Sequence, residues 1–113
     1  MNKKLKEWSD KVKLKYNNKC AVCGIDNNTK NKKNNPIRLN AHHIISKTCG
    51  REYMYDVDNG ILLCPGHHKF FLDSFHKNPI FTMEWLKKHH NDIYFYLFEK
   101  TKKQIEKKEN KNG

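Results

Sequence analysis

Apolar residues near the start of the chain, Leu5, Trp8, Val12 and Tyr16, recur at spacings of three and four and so share one face of a helix. That face reads as core packing, and Asn17-Asn18-Lys19 ends the element. A tight turn is expected over residues 20–24, where Gly24 can take the positive φ that such turns need. Residues 26–36 are polar, lack a period and read as a mobile loop. From Ile37 to Ile45 the pattern alternates enough for a strand, which sends His42 and His43 to opposite faces. A bend or bulge at the pair would bring both towards one ion. Residues 46–58 are long enough for a hairpin turning at Gly50. Asp58-Asn59-Gly60 is a turn signal, and Ile61-Leu62-Leu63 after it a short buried run. Past Pro65 and Gly66 the pattern predicts a helix from His67 to Phe75, with His68 on its first turn and Phe71, Leu72 and Phe75 facing the core. Beyond Pro79, Phe81 to Ile105 reads as helix in two pieces broken near Asn91, burying Trp85, Leu86, Ile93, Leu97 and Phe98. No internal repeat appears.

With 113 residues the chain is one domain, and an apolar content of only 36% makes a structural metal a useful staple for a thin core. The formal net charge of +11 is uneven. Residues 1–19 carry seven lysines against Glu7 and Asp10, a net +5, and residues 100–113 carry six against Glu106 and Glu109, a net +4. Such flanks would hold a polyanion by phosphate contacts that carry no sequence information; lysines that only solvate a surface are the plainer reading. The N-terminal residues are charged with no apolar run after them, and no stretch approaches the roughly 18 apolar residues of a membrane span. The expectation is therefore a cytoplasmic protein with no membrane partner.

The cysteines sharpen this picture. Cys20 and Cys23 stand three apart, then after a long gap come Cys64 and, three further on, His67, which is the ligand spacing of a Cys₃His zinc site. His68 is the alternative to His67 as fourth ligand. Reading the cysteines as two disulfides needs an oxidising compartment that nothing in the chain indicates. Cys49 follows no ligand spacing and reads as a free thiol, and His89-His90 as surface residues. With His67 as the fourth ligand, His42, His43, His68 and Asn59 have no part in holding zinc. The plainer readings are half-exposed strand histidines and, for Asn59, a turn former before Gly60. His76 is expected to contact phosphate or to sit at a helix C-terminus.

Taken together, Cys-x-x-Cys, His42-His43-Ile44, Asn59-Gly60-Ile61-Leu62-Leu63-Cys64 and His67-His68-Lys69 resemble the HNH endonuclease family, in particular its zinc-stapled phage and mobile-element branch, over residues 20–77. The resemblance implies a small α+β fold: a ββα-metal (His-Me finger) core with a structural zinc knuckle. Around that core the chain would divide into a basic helix over 1–19, a C-terminal helical region over 80–108 and a disordered tail over 109–113. Carried over by position, His43 is the general base, His42 and His68 ligands of a catalytic divalent ion, and Asn59 the central asparagine, which holds the loop and orients His43 through a hydrogen bond. Two imidazoles favour Mn²⁺, Ni²⁺, Co²⁺ or Zn²⁺ over Mg²⁺. The implied activity is metal-dependent hydrolysis of DNA, by nicking or double-strand cleavage, in a bacterial host or phage-infected cell; a chain this small has little surface for reading bases, so weak sequence specificity is expected. A zinc-stapled DNA-binding protein, or a phage packaging accessory without nuclease activity of its own, is the alternative.

Overall fold

The computed structural model describes residues 2–112, with side chains described through Lys108; the tail expected over 109–113 lies outside the described side chains. Helix α1 spans Lys3–Lys15. The Asn2 side chain caps it by accepting from the Leu5 N–H at 2.8 Å, and Asn17 and Asn18, both at φ 55°, end it in left-handed turns that asparagine tolerates better than most residues. Trp8 and Val12 are its buried residues.

Strands β1 (Asn40–His43) and β2 (Gly60–Leu63) pair antiparallel in the register Asn40↔Leu63, Ala41↔Leu62, His42↔Ile61 and His43↔Gly60. Because side chains alternate along a strand, β2 is a wedge buried on both sides. Leu62 packs with Trp8 and Val12 under α1, while Ile61 and Leu63 join Cys20, Cys64, Phe75 and Leu86 on the other face. Gly60 is where α1 comes closest. Its φ of −113° suits any residue, but an added Cβ would run into Val12 Cγ2 and lie 2.9 Å from Trp8 Cζ2. The strand expected from 37 to 45 is thus shorter, and its histidine pair carries no bulge.

The connection between the strands forms two 3₁₀ turns, Lys47–Cys49 and Val57–Asn59, around the single-turn helix α2 (Arg51–Met54), in place of the expected hairpin. Gly50, at φ 140°, sits at the first junction. Residues 26–36, expected to be an unstructured loop, are folded locally. Asp26 Oδ1 accepts from the Asn28 N–H at 3.0 Å, Asn31 Oδ1 accepts from the Lys33 and Asn35 N–H groups, and Lys30 bridges to Pro36.

The helix expected from His67 to Phe75 does not form. A single π-turn covers Gly66–Phe70, then the chain reverses so that the Phe75 N–H donates to the His67 carbonyl at 2.8 Å and the His76 N–H to the His68 carbonyl at 3.1 Å. Asp73 and Ser74 favour turns over helix, and Ser74 Oγ accepts from the Lys77 N–H at 3.2 Å. Phe75 is buried as expected, but Phe71 and Leu72 are 51% and 83% exposed. Helices α3 (Pro79–His89) and α4 (Asn91–Asn112) follow, with the break at His90. Leu86, Ile93 and Leu97 are buried, Trp85 is half-buried, and Phe98, expected in the core, is exposed.

Candidate metal centres and catalytic cleft

Two histidine-containing clusters lie near the end of β2, and His67 and His68, adjacent in the π-turn, go one to each. The first gathers Cys20, Cys23, Cys64 and His67, whose donor atoms all lie within 4.8 Å of one another. A knuckle presents the first two: the Gly24 N–H donates to the Cys20 carbonyl at 2.9 Å, Gly24 takes φ 77°, and the Ala21 N–H docks on the Leu62 carbonyl at 2.8 Å. Cys64 follows β2 directly, and the π-turn brings His67 Nδ1 to 3.2 Å from its Sγ. Cys23 Sγ and Cys64 Sγ are 3.8 Å apart. A tetrahedral zinc with Zn–S bonds of about 2.3 Å holds its sulfurs about 3.8 Å apart, so the donor set and its spacing fit zinc. Burial foremost, with Cys20 adding hydrogen-bonding and charge effects, pushes the Cys23 thiol up to about 12. A cation among these sulfurs would reverse that penalty, since it favours the thiolate. His67 faces the cysteines and His68 does not, in keeping with the spacing.

The second cluster is His42, His68 and His76, again with donor nitrogens within 4.8 Å of one another. His42 is on β1, cross-strand from Ile61 and so on the face opposite α1. Its ring centroid is 5.2 Å from that of His68 and 4.9 Å from that of His76. The Nε2 atoms of His68 and His76 are 2.9 Å apart, near the roughly 3 Å that separates adjacent nitrogens bound at about 2.1 Å to one ion. Burial, then the neighbouring imidazoles, lowers His42 to about 3. Burial and His76 lower His68 to about 4. Both therefore present neutral lone pairs, the form that binds metal.

His76 is the residue that sequence reasoning missed. An α-helix through residues 68–76 would have carried it two turns away from His68, whereas the reversal at Asp73-Ser74 folds it back beside His68. Those two turn-forming residues were the available signal.

His43, one residue beyond His42, faces α1. Its ring stacks on Trp8 with centroids 3.8 Å apart and planes 5° from parallel. The Trp8 indole is held by donating to the Asp56 carbonyl at 2.8 Å. His43 Nε2 lies 2.8 Å from the Met54 carbonyl, which can only accept, so Nε2 carries the proton and Nδ1 the lone pair. Burial lowers the His43 pKa, with Lys47 acting in the same direction against the Met54 hydrogen bond, so the imidazole is held in its basic form. His42, His43, Ser46, Lys47, His68 and His76 all line one cavity of about 460 Å³.

Asn59 does not hydrogen-bond His43, contrary to expectation. Fully buried, it accepts from the Ile45 N–H at 2.7 Å and donates to the Ile45 and Tyr53 carbonyls, each at 2.9 Å. It pins the two ends of the strand connection and so fixes the residue before Met54, whose carbonyl holds His43. From the other side α4 clasps this connection, with Lys100 paired to Asp56 at 2.8 Å and Gln104 bonded to Tyr53 and Cys49. Cys49 belongs to neither cluster among the described residues. Among the described residues no helix is long and apolar enough to cross a membrane.

A model of the HNH endonuclease family matches residues 20–76, a stretch that contains both clusters and His43. No curated protein and no solved structure matches the chain.

Proposed function

Since this chain belongs to the HNH endonuclease family, we propose that it hydrolyses DNA phosphodiester bonds, with His43 as general base and His42, His68 and His76 as ligands of a divalent ion. The observation that carries this reading is that His43 and the three clustered histidines line one cavity, with the His43 proton committed to Nε2. Phosphodiester hydrolysis needs a water deprotonated near neutral pH, compensation of charge on the phosphate oxygens and support for the departing 3′ oxygen. A bound divalent ion supplies the last two. For the first, His43 Nδ1 accepts the water proton, and the Met54 carbonyl steadies the imidazolium through Nε2–H. Trp8 keeps the ring in plane, and Asn59 holds the backbone that carries the Met54 carbonyl. Three imidazole donors suit Mn²⁺, Ni²⁺, Co²⁺ or Zn²⁺ better than Mg²⁺. Cys20, Cys23, Cys64 and His67 hold a separate structural zinc.

Products with 5′-phosphate and 3′-hydroxyl ends and weak sequence specificity complete the proposal, together with a cytoplasmic site of action suited to a thiolate zinc site. The test is plasmid cleavage with Mn²⁺ or Mg²⁺, comparing the wild type with a folded, zinc-loaded His43→Ala variant. Nicking or linearisation that needs the metal and disappears in His43→Ala is expected. Equal activity in both would reject His43 as the base, and cleavage by neither would favour a DNA-binding or accessory role.

A further inference from the structure

The cleft does not end at the histidines. Ala41, His43 and Lys47 also line a second cavity, of about 470 Å³, between α1 and β1, whose wall includes Trp8, Lys13 and Asn40. Lys13, Leu39 and Asn40 recur in a third, of about 320 Å³, which adds Asn18, Asn27 and Arg38. By these shared residues the three cavities adjoin in series, a trough that runs from the histidine cluster past His43 and along β1.

Its chemistry is one-sided. Among the described residues no aspartate or glutamate lines any of the three cavities, although the chain has 12 of them. Lys47, Lys13 and Arg38 succeed one another along it, and none makes an ion pair among the described residues. Between them Asn18, Asn27 and Asn40 offer amide donors. Unpaired cations and amide donors in a groove free of carboxylates are the chemistry that follows a phosphodiester backbone. The other side of the cleft contrasts with this: the cavity between Ile44-Ile45 and the α3–α4 pair is lined by Met83, Leu86, Tyr94 and Leu97 and offers no cation. On α4, Lys100 is committed to Asp56.

Resting on the nuclease reading, we propose that the trough is the track of the substrate strand, which leaves the cleft on the α1 side with its phosphates on Lys47, Lys13 and Arg38. Lys13 lies on α1, outside the residues matched to the family, so this arm of the site is supplied by the chain's own N-terminal helix. The apolar cavity between Ile44-Ile45 and the α3–α4 pair gives a phosphate backbone no comparable contact.

The test uses full-length protein and a short fluorescein-labelled DNA duplex, with binding measured as a function of salt and without added Mn²⁺ or Mg²⁺. Lys13→Gln combined with Arg38→Gln is compared with a charge-matched pair on α4, Lys102→Gln with Lys103→Gln. A third variant, Asn40→Asp, places a carboxylate in the middle of the track. Zinc content and thermal unfolding check that each is folded. The track pair should weaken binding about tenfold and reduce the salt slope by about two, and Asn40→Asp should weaken it comparably, while the α4 pair changes it by less than about twofold. In Mn²⁺ the track pair should raise KM with kcat unchanged. Equal losses in the two pairs, no loss in the track pair, or no binding by the wild type would overturn the track. A wild type that binds with this pattern but never cleaves keeps the track and rejects the nuclease. Cleavage with the two pairs indistinguishable does the reverse.

Discussion

The His43 imidazole is fixed from two sides, by the Trp8 indole stacked 3.8 Å away and by the Met54 carbonyl at 2.8 Å, and each contact depends on one further residue. Asn59 is the support behind Met54. Replacing it with alanine leaves the Ile45 N–H and the Ile45 and Tyr53 carbonyls without their buried partner, which should cost about 1–3 kcal/mol of stability in denaturant unfolding and lower kcat beyond what the loss of folded protein explains. Unchanged stability in Asn59→Ala would mean that the connection is held without it. At His76 the expectation concerns metal alone: His76→Ala should keep its zinc yet need about tenfold or more additional Mn²⁺ for half-maximal cleavage. Proton uptake by the cluster sets a third outcome. His42 and His68 drop from 6.5 to about 3 and about 4, because burial and neighbouring imidazoles disfavour their charged forms. The folded state therefore binds fewer protons than the unfolded chain below 6.5. Their contribution is intact above that pH, falls through the window down to about 4 and is gone near 3. Without added divalent ion, the unfolding midpoint should fall across this window, and less steeply in His42→Gln; an identical slope in that variant would count against the assignment.

At the scale of elements, strand register does the sorting. Pairing His42 with Ile61 and His43 with Gly60 puts neighbouring histidines on opposite faces, one towards the π-turn and one towards α1. Gly60 serves this arrangement by lacking a side chain where Trp8 and Val12 press against β2. Gly60→Ala has no backbone conflict, so its effect is steric. Overpacking should destabilise the fold by about 1–3 kcal/mol, and the displaced Trp8 should lose its stacking on His43, read as a change in the indole fluorescence. A variant as stable as the wild type, with its fluorescence intact, would show that α1 can shift without cost. The π-turn and reversal after β2 matter equally. A regular helix through residues 67–75 could not have returned His76 to His68, and the exposure of Phe71 and Leu72 is the apolar burial given up by that reversal.

For the molecule as a whole, the first cluster ties the end of α1, through Cys20 and Cys23, to the end of β2, through Cys64 and His67. With a core this small, zinc binding is folding free energy. One zinc per chain should survive dialysis, and its removal by a strong chelator should lower the unfolding midpoint by more than about 10 °C. Protein that kept its midpoint after losing zinc would show that the apolar contacts suffice. The gathering of Cys20, Cys23, Cys64 and His67 could be read from the chain because metal chemistry prescribes both donor type and short-range spacing, and α1, β2 and the α3–α4 break because periodicity and turn residues act between near neighbours. The divergence of His42 and His43 was equally legible, since strand alternation is local. What no local pattern carried was which partner each would meet. Trp8 reaches His43 across 35 positions only through the packing of α1 on β2, Asn59 spends its amide on Ile45 and Tyr53 with none left for the imidazole, and His76 joins the cluster because the chain turns back where periodicity favoured a helix. Those outcomes were decided in the tertiary structure because they depend on strand register, close packing and chain reversal, where contacts between distant residues outweigh the preferences of adjacent ones.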